Sequence, residues 1–227
     1  MNPNEQSEVN TNPAEDSDYQ DEKNSKKQKI VRNEFETVGK YGIPLVKKQE
    51  LDLTQLKAWS YTKTKRNDEE NKDKIIHFFT YDWLFETVYA NPEKALEKLD
   101  QYYALMTPEF STYKNMPLTL QAYSTFKNRW CGAFWQYHGM KVIPTIAWGT
   151  PASYEFCFDG VEQNAVVAVS TYYHEDNKTG FMAGYNKMLE ALNPAAIVCY
   201  GKPFDEMEGN IIELNPYDEW YNGKGVE

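Results

Sequence analysis

Two acidic side chains, Asp82 and Glu109, are the residues of this sequence best suited to chemistry. Asp82 comes at the end of the apolar run "KIIHFFTYDW", and Glu109 lies near the end of "YYALMTPEFS". Neighbouring carboxyl groups can act as general acid and general base when one raises the pKa of the other, or they can bind a divalent cation through oxygen. We therefore predict Asp82 and Glu109 as catalytic residues, and the sequence leaves open whether a divalent cation is the cofactor.

Other polar and aromatic residues also follow apolar runs, where a parallel sheet gathers its ligands. The segments "VSTYY" and "CYGKP" offer hydroxyl groups, a glycine amide and a lysine, all of which bind phosphate in backbone nests and barrels. The predicted ligand-binding residues are Trp83, Ser111, Trp148, Ser170, Thr171, Gly201 and Lys202. Strand-to-helix loops also use such residues for caps and turns, so a structural role stays open for each of them.

The elements that must position these residues alternate in type from Ile75 onward, which is typical of an α/β fold with parallel strands. The predicted strands lie within residues 74–83, 102–111, 140–149, 164–173 and 195–202, and 41–53 is a further candidate. The predicted helices lie within 92–103, 118–139 and 179–194, and another begins at Thr150 as its cap. These units are too few for a complete eight-unit barrel. We predict repeated βα units in a partial or reduced TIM-like barrel, with an open doubly wound sheet as the alternative.

The ends of the chain differ from this middle part. Residues 1–30 are acidic and almost free of aliphatic side chains, which predicts a disordered tail. Residues 31–227 are predicted to form a single α/β domain, with an exposed charged loop at 63–74 and an acidic, aromatic C-terminal segment.

Charge and composition exclude several classes of protein. The net charge of −10 argues against binding to duplex nucleic acid or to an anionic membrane, because both need a cationic face. The sequence lacks a secretory signal and a run of about twenty apolar residues, so we expect a cytoplasmic protein. Cys131, Cys157 and Cys199 lie in apolar surroundings and are predicted to be buried, reduced thiols.

Four segments of the chain form a specific series: "FFTYDWLFETVYANPEKALEKLDQYYALMTPEFSTYKNMPLTLQ", "GAFWQYHGMKVIPTIAWG", "FCFDGV" and "VVAVSTYY". Taken together, they resemble the bacterial and phage domain-of-unknown-function family 4417 over roughly residues 35–205. In that family the acid that corresponds to Glu109 is commonly aspartate, so this chain departs conservatively there. The resemblance implies a soluble protein often found in mobile elements, and it brings no established activity.

Two functions follow from these residues. The first is an enzyme that uses acid–base or metal-assisted chemistry on a nucleotide or a phosphorylated small molecule, with phosphate bound by Ser170, Thr171 and Lys202. The alternative is a non-catalytic interaction protein, such as a phage-encoded inhibitor or sequestering protein, that binds a protein partner through exposed aromatic side chains. A deep polar cleft would favour the enzyme, and an exposed patch would favour the interaction protein.

Overall fold

The computed structural model of the chain describes residues 32–54, 56–172, 174–216 and 218. The chain divides into two units, 1–34 and 35–227, and the elements below belong to the second. The predicted acidic tail, 1–30, lies outside the described residues, as does the end of the predicted C-terminal segment.

The strands form one antiparallel pair and two parallel ladders. The pair is β1 (Thr37–Val38) with β2 (Ile43–Pro44). The first ladder runs in the order β3 (Ala58–Ser60), β4 (Ile75–His77), β5 (Ala104–Met106) and β6 (Val142–Ile143). The second is β7 (Val166–Ser170), β8 (Ala196–Tyr200) and β9 (Ile211–Leu214). A parallel bridge between Thr145 and Ala168 joins the two ladders, so strand order follows chain order from β3 to β9.

The helices are α1 (Asp82–Phe85), α2 (Thr87–Ala90), α3 (Pro92–Leu99), α4 (Leu118–Tyr137) and α5 (Lys178–Leu192). Helices α3, α4 and α5 correspond to predicted helical segments. Helices α1 and α2 were not predicted, and α1 begins within the segment 74–83 that was predicted as a strand. Pro92 opens α3 because its fixed φ suits a first helical turn, and α5 ends at Asn193, which adopts the left-handed conformation. The helix predicted to begin at Thr150 is a short 3-10 helix, Pro151–Glu155, and the Thr150 side chain does not cap it.

The core lies on both faces of the sheet, which explains the continuous apolar runs of its strands. On one face, α4 packs over β4 to β6 through Trp130 and Trp135, and α5 packs over β7 and β8 through Tyr185. The other face forms a separate cluster to which β4 through β9 all contribute. It includes Ile75, Met106, Ile143, Ala168, Val198 and Leu214.

The sheet is strongly curved. The rings of His77 on β4 and Tyr200 on β8 lie 4.4 Å apart between centroids. In a flat sheet four strand spacings would separate these positions by about 19 Å. The mainly parallel α/β fold is therefore confirmed, whereas a TIM-like barrel is not, since no pairing among the described residues joins β9 to β3. The order also lacks the reversal that marks a doubly wound sheet.

Two further predictions need correction. Segment 63–74 is not uniformly exposed, because Asp68 and Asn71 are buried. Asp68 accepts hydrogen bonds from the Tyr102 hydroxyl at 2.9 Å and from Asn71 Nδ2 at 2.7 Å, which fix the segment to the body. Strands β1, β3 and β9 were not predicted, and β9 lies within the acidic C-terminal segment.

The predicted thiol state is confirmed, since all three cysteines are free and buried. None of the helices in the described ranges combines the length and apolar character that a membrane span requires.

Candidate functional site

Asp82 is held at the carboxyl edge of the sheet by Ser111. It opens α1 directly after the loop that leaves β4, and Ser111 lies in the loop that leaves β5. The Ser111 amide donates to Asp82 Oδ2 at 3.0 Å, and the Ser111 hydroxyl donates to Oδ1 at 2.8 Å. Two of the predicted site residues therefore meet, because consecutive parallel strands bring their carboxyl ends together.

Glu109 lies in the same loop as Ser111 and has an unusual carboxyl group. The residue is partly exposed to solvent, and the protein around it partly desolvates its carboxyl group. This desolvation raises the pKa of Glu109 from the ordinary 4.5 to about 8, and the negative charge of Asp82 adds to the rise. At neutral pH Glu109 therefore keeps its proton beside a second carboxyl group, an arrangement that can donate a proton.

Helix α4 positions the loop that carries Glu109. Asn128 donates through Nδ2 to the carbonyl oxygen of Pro108 at 2.7 Å and accepts from the Thr107 hydroxyl at 2.7 Å. Its neighbour Arg129 is buried and donates to three backbone carbonyl groups as well as to Asn128. Burial lowers the pKa of Arg129 to about 10, so it stays protonated at neutral pH. This network was not predicted, although Asn128 and Arg129 are polar residues within the aromatic segment "KNRWCGAF".

A lysine beside this loop is already neutralised. Lys127 Nζ lies 3.1 Å from both carboxyl oxygens of Glu86 and 3.8 Å from the centroid of the Phe110 ring. Lys127 is buried, so this cation is held by a ring and a carboxylate together. The positive charge of Lys127 is therefore paired with Glu86 and does not pair with Glu109.

Exposed aromatic residues flank Asp82 in the sequence. Tyr81 and Trp83 are 69% and 74% exposed, and their rings lie nearly parallel, with centroids 6.5 Å apart and 12° between planes. Tyr113, two residues after Ser111, is 64% exposed. Trp83 was a predicted site residue and Tyr81 was missed, although the triplet "YDW" placed both rings beside the acid.

The predicted phosphate-binding residues lie together after β7 and β8, but their donors already have partners. The Ser170 hydroxyl donates to a carbonyl of β8 at 3.3 Å, and the Thr171 hydroxyl donates to the Lys202 carbonyl at 2.9 Å. The Gly201 amide donates to a carbonyl of β9 at 3.0 Å. Gly201 has φ +100°, and a Cβ there would lie 2.8 Å from Thr171 Oγ1, so this turn needs glycine. The Lys202 side chain is exposed.

Trp148 packs against helix α5. Its ring centroid lies 5.2 Å from that of Phe181, and a Cβ at Gly184 would come within 2.1 Å of the indole nitrogen. The structure therefore places Trp148 in a contact with helix α5.

Aromatic rings fill the inside of the curved sheet near its carboxyl edge. Tyr200 contacts His77, Phe79 and Tyr172, with centroid distances of 4.4, 4.8 and 6.0 Å. Beside α4, residues that include Phe110, Asn128 and Arg129 line a cavity of about 10 Å³, which suits about one water molecule.

A metal site would need ligands beyond the two acids. Within the described ranges, no group of three or more His, Cys, Asp or Glu residues is placed to hold a metal ion. Asp82 and Glu109 supply two carboxyl groups, so water or substrate oxygens would have to complete the shell of a bound Mg²⁺ or Ca²⁺.

Comparison with known proteins identifies the family. The sequence profile of Domain of unknown function (DUF4417) matches residues 35–218. The chain is 34% identical over 197 residues to the Gene 1 protein of Mycobacterium phage L5, covering 85% of each protein. It is 31% identical over 195 residues to the Gene 1 protein of Mycobacterium phage D29, covering 85% of this chain and 72% of that protein. No solved structure matches. The profile and both phage relatives cover the strands and loops that carry Asp82 and Glu109, and this chain belongs to the DUF4417 family.

Proposed function

We propose that Asp82 and Glu109 form an acid–base site that acts on a nucleotide or a phosphorylated small molecule. The observation that carries the proposal is the desolvated carboxyl group of Glu109, with a pKa of about 8, beside Asp82. A general acid works best when its pKa lies near the working pH. Strongly shifted carboxyl groups beside a second charge are also typical of functional sites.

The two acids take different roles in this proposal. Glu109 donates its proton to the reacting atom, because it is protonated at neutral pH. Asp82 stays in place through its two hydrogen bonds from Ser111 and stabilises positive charge or accepts a proton. Binding of a divalent cation between the two carboxyl groups is the alternative use of the same pair.

The rest of the ligand would lie along the same edge. Lys202 is the proposed phosphate contact because its side chain is exposed beside the turn at Gly201. The hydroxyl groups of Ser170 and Thr171 support this turn through bonds to carbonyl oxygens.

The proposal includes a reduced barrel as the scaffold. Its support is the consecutive parallel order from β3 to β9 and the contact between His77 and Tyr200 across the inner face. In such a scaffold all strands deliver their carboxyl ends to one rim.

A ligand screen followed by two variants tests this function. The purified protein is heated with nucleotides and sugar phosphates, with and without Mg²⁺ or Mn²⁺, because a ligand of the native state raises the unfolding midpoint. A compound that binds is then assayed for turnover. Glu109→Gln should keep binding and lose turnover by roughly a hundredfold or more. Glu155→Gln, a change at an exposed acid elsewhere, is the control. Wild-type turnover in Glu109→Gln would refute the acid role.

A second candidate is a non-catalytic interaction protein. The specific observation in its favour is the pair of exposed rings at Tyr81 and Trp83. Exposed aromatic clusters are typical of sites that bind other proteins.

A further inference from the structure

The rings of Tyr81 and Trp83 are exposed, close together and nearly parallel. Their centroids are 6.5 Å apart, their planes differ by 12°, and both are more than two-thirds exposed. A planar group that stacks on the face of one ring therefore lies nearly parallel to the other ring as well.

The charges around these rings favour a cation. The faces of aromatic rings are negative, and Asp82 lies between the two rings in the sequence with its carboxylate held in place by Ser111. The whole chain carries a net charge of −10. Nucleic acid would bring a row of phosphates to this acidic surface and would be repelled.

Arginine is the side chain that satisfies both conditions. Its guanidinium group is planar, stays charged, stacks on aromatic faces and pairs with carboxylates, whereas the lysine ammonium group has no plane to stack. We propose that Tyr81, Asp82 and Trp83 bind the guanidinium group of an arginine side chain presented by a partner protein.

The molecule already holds lysine cations in this way, and one of them lies near the site. Lys127 lies over the ring of Phe110 and pairs with Glu86 at the same edge of the sheet. In that contact an aromatic face and a carboxylate act together on a positive group, as we propose for Tyr81, Trp83 and Asp82.

This inference goes beyond the acid–base proposal and does not rest on it. Glu109 is uncharged at neutral pH, so it adds no negative charge to the cation site. Glu109→Gln resembles the protonated acid and should therefore leave arginine binding unchanged, even though it removes the proposed proton donor. The two proposals can thus fail separately.

Three blocked peptides that differ at one side chain test the inference: Gly-Ser-Arg-Ser-Gly and its versions with lysine or citrulline. Citrulline keeps the planar shape of arginine and removes its charge. Binding is followed by NMR through the indole N–H signal of Trp83, which is assigned with Trp83→Phe. The arginine peptide should bind in the millimolar range, at least about fivefold more tightly than the citrulline peptide, as a cation–π contact implies.

Variants at the site separate this contact from general attraction to an acidic protein. Tyr81→Ala and Asp82→Asn should each weaken binding of the arginine peptide at least about threefold. Trp83→Ala removes the reporting signal, so its binding is measured by calorimetry and should weaken similarly. Tyr137→Ala, a change at a ring that is 78% exposed on α4, should have no effect. Near-native thermal melts of each variant confirm that it is folded.

Several results would overturn the inference. Equal affinities for the arginine and citrulline peptides would show that charge has no role, and unchanged binding in Tyr81→Ala and Trp83→Ala would place the contact elsewhere. Binding of adenosine monophosphate or of a short thymidine oligonucleotide at the Trp83 signal, with no response to the arginine peptide, would show that the rings stack bases instead.

Discussion

Raising the pH from 5 to 8 should destabilise this protein through Glu109. An acid whose pKa is higher in the folded state keeps a proton that the unfolded state has already released. For Glu109 this interval runs from 4.5, the ordinary value, to about 8. The free energy of unfolding therefore falls as the pH rises across this interval. Near or below the ordinary pKa, Glu109 is protonated in both the folded and the unfolded state, so its ionisation no longer opposes folding.

The size of the effect follows from the interval. Each pH unit within it lowers the free energy of unfolding by about 1.4 kcal/mol. From pH 5 to 8 the loss is on the order of 4 kcal/mol, and partial exposure of Glu109 makes this an upper limit. Glutamine does not ionise, so Glu109→Gln should lack this loss and should be more stable than the wild type at pH 8. At pH 4.5 the two proteins should be similar.

Urea unfolding at pH 5, 6, 7 and 8 measures the effect. The difference in unfolding free energy between Glu109→Gln and wild type should widen steadily with pH. Glu155→Gln is the matched control, because its pairing with Lys40 lowers the pKa of Glu155 and keeps its titration below this range. If the wild type and Glu109→Gln show parallel profiles from pH 5 to 8, Glu109 titrates normally, and the argument for it as a proton donor fails.

Three further outcomes are expected. Asp82→Asn should lower the pKa of Glu109, because the substitution removes the negative charge that helps to raise this pKa. A ¹³C NMR titration of the Glu109 carboxyl group measures the pKa. An unchanged value would show that the two acids do not interact. Arg129→Met should lower the free energy of unfolding by about 3–5 kcal/mol in urea, because it leaves several buried carbonyl groups unpaired. Gly160→Ala should destabilise the folded protein far more than Gly139→Ala does. Both glycines have positive φ, but only at Gly160 would a Cβ meet a backbone oxygen, at 2.3 Å. Equal melting temperatures of the two variants would contradict this.

The sequence was sufficient to predict the elements that are buried on both faces. Strands β4 to β8 are apolar because inner and outer clusters both cover them, and α4 shows the spacing of a helix that packs along one side. The meeting of Asp82 with Ser111 also followed from sequence order, since consecutive parallel strands place their following loops side by side.

Other features depend on partners far away in the chain and leave no local signal. Strand β3 is three residues long, and β9 includes an acid, so neither shows a clear apolar run. Asp68 is buried because the Tyr102 hydroxyl and the Asn71 side chain bind it, and the sequence alone does not bring Tyr102 close. The hydroxyl groups of Ser170 and Thr171 looked free for phosphate because only the folded structure shows which carbonyl groups they reach.

The strongest argument for a function at the carboxyl edge is that Glu109, Tyr81 and Trp83 do not contribute to stability there. A glutamine at position 109 would avoid the cost of keeping an acid out of water, and small polar residues in place of Tyr81 and Trp83 would leave less apolar surface exposed. The hydrogen bonds from Ser111 fix Asp82 between these features instead of covering them. Residues that lower folding stability and lie close together are expected at functional sites. Because the shifted acid and the exposed rings meet at the same strand ends, a search for the ligand of this family should begin there.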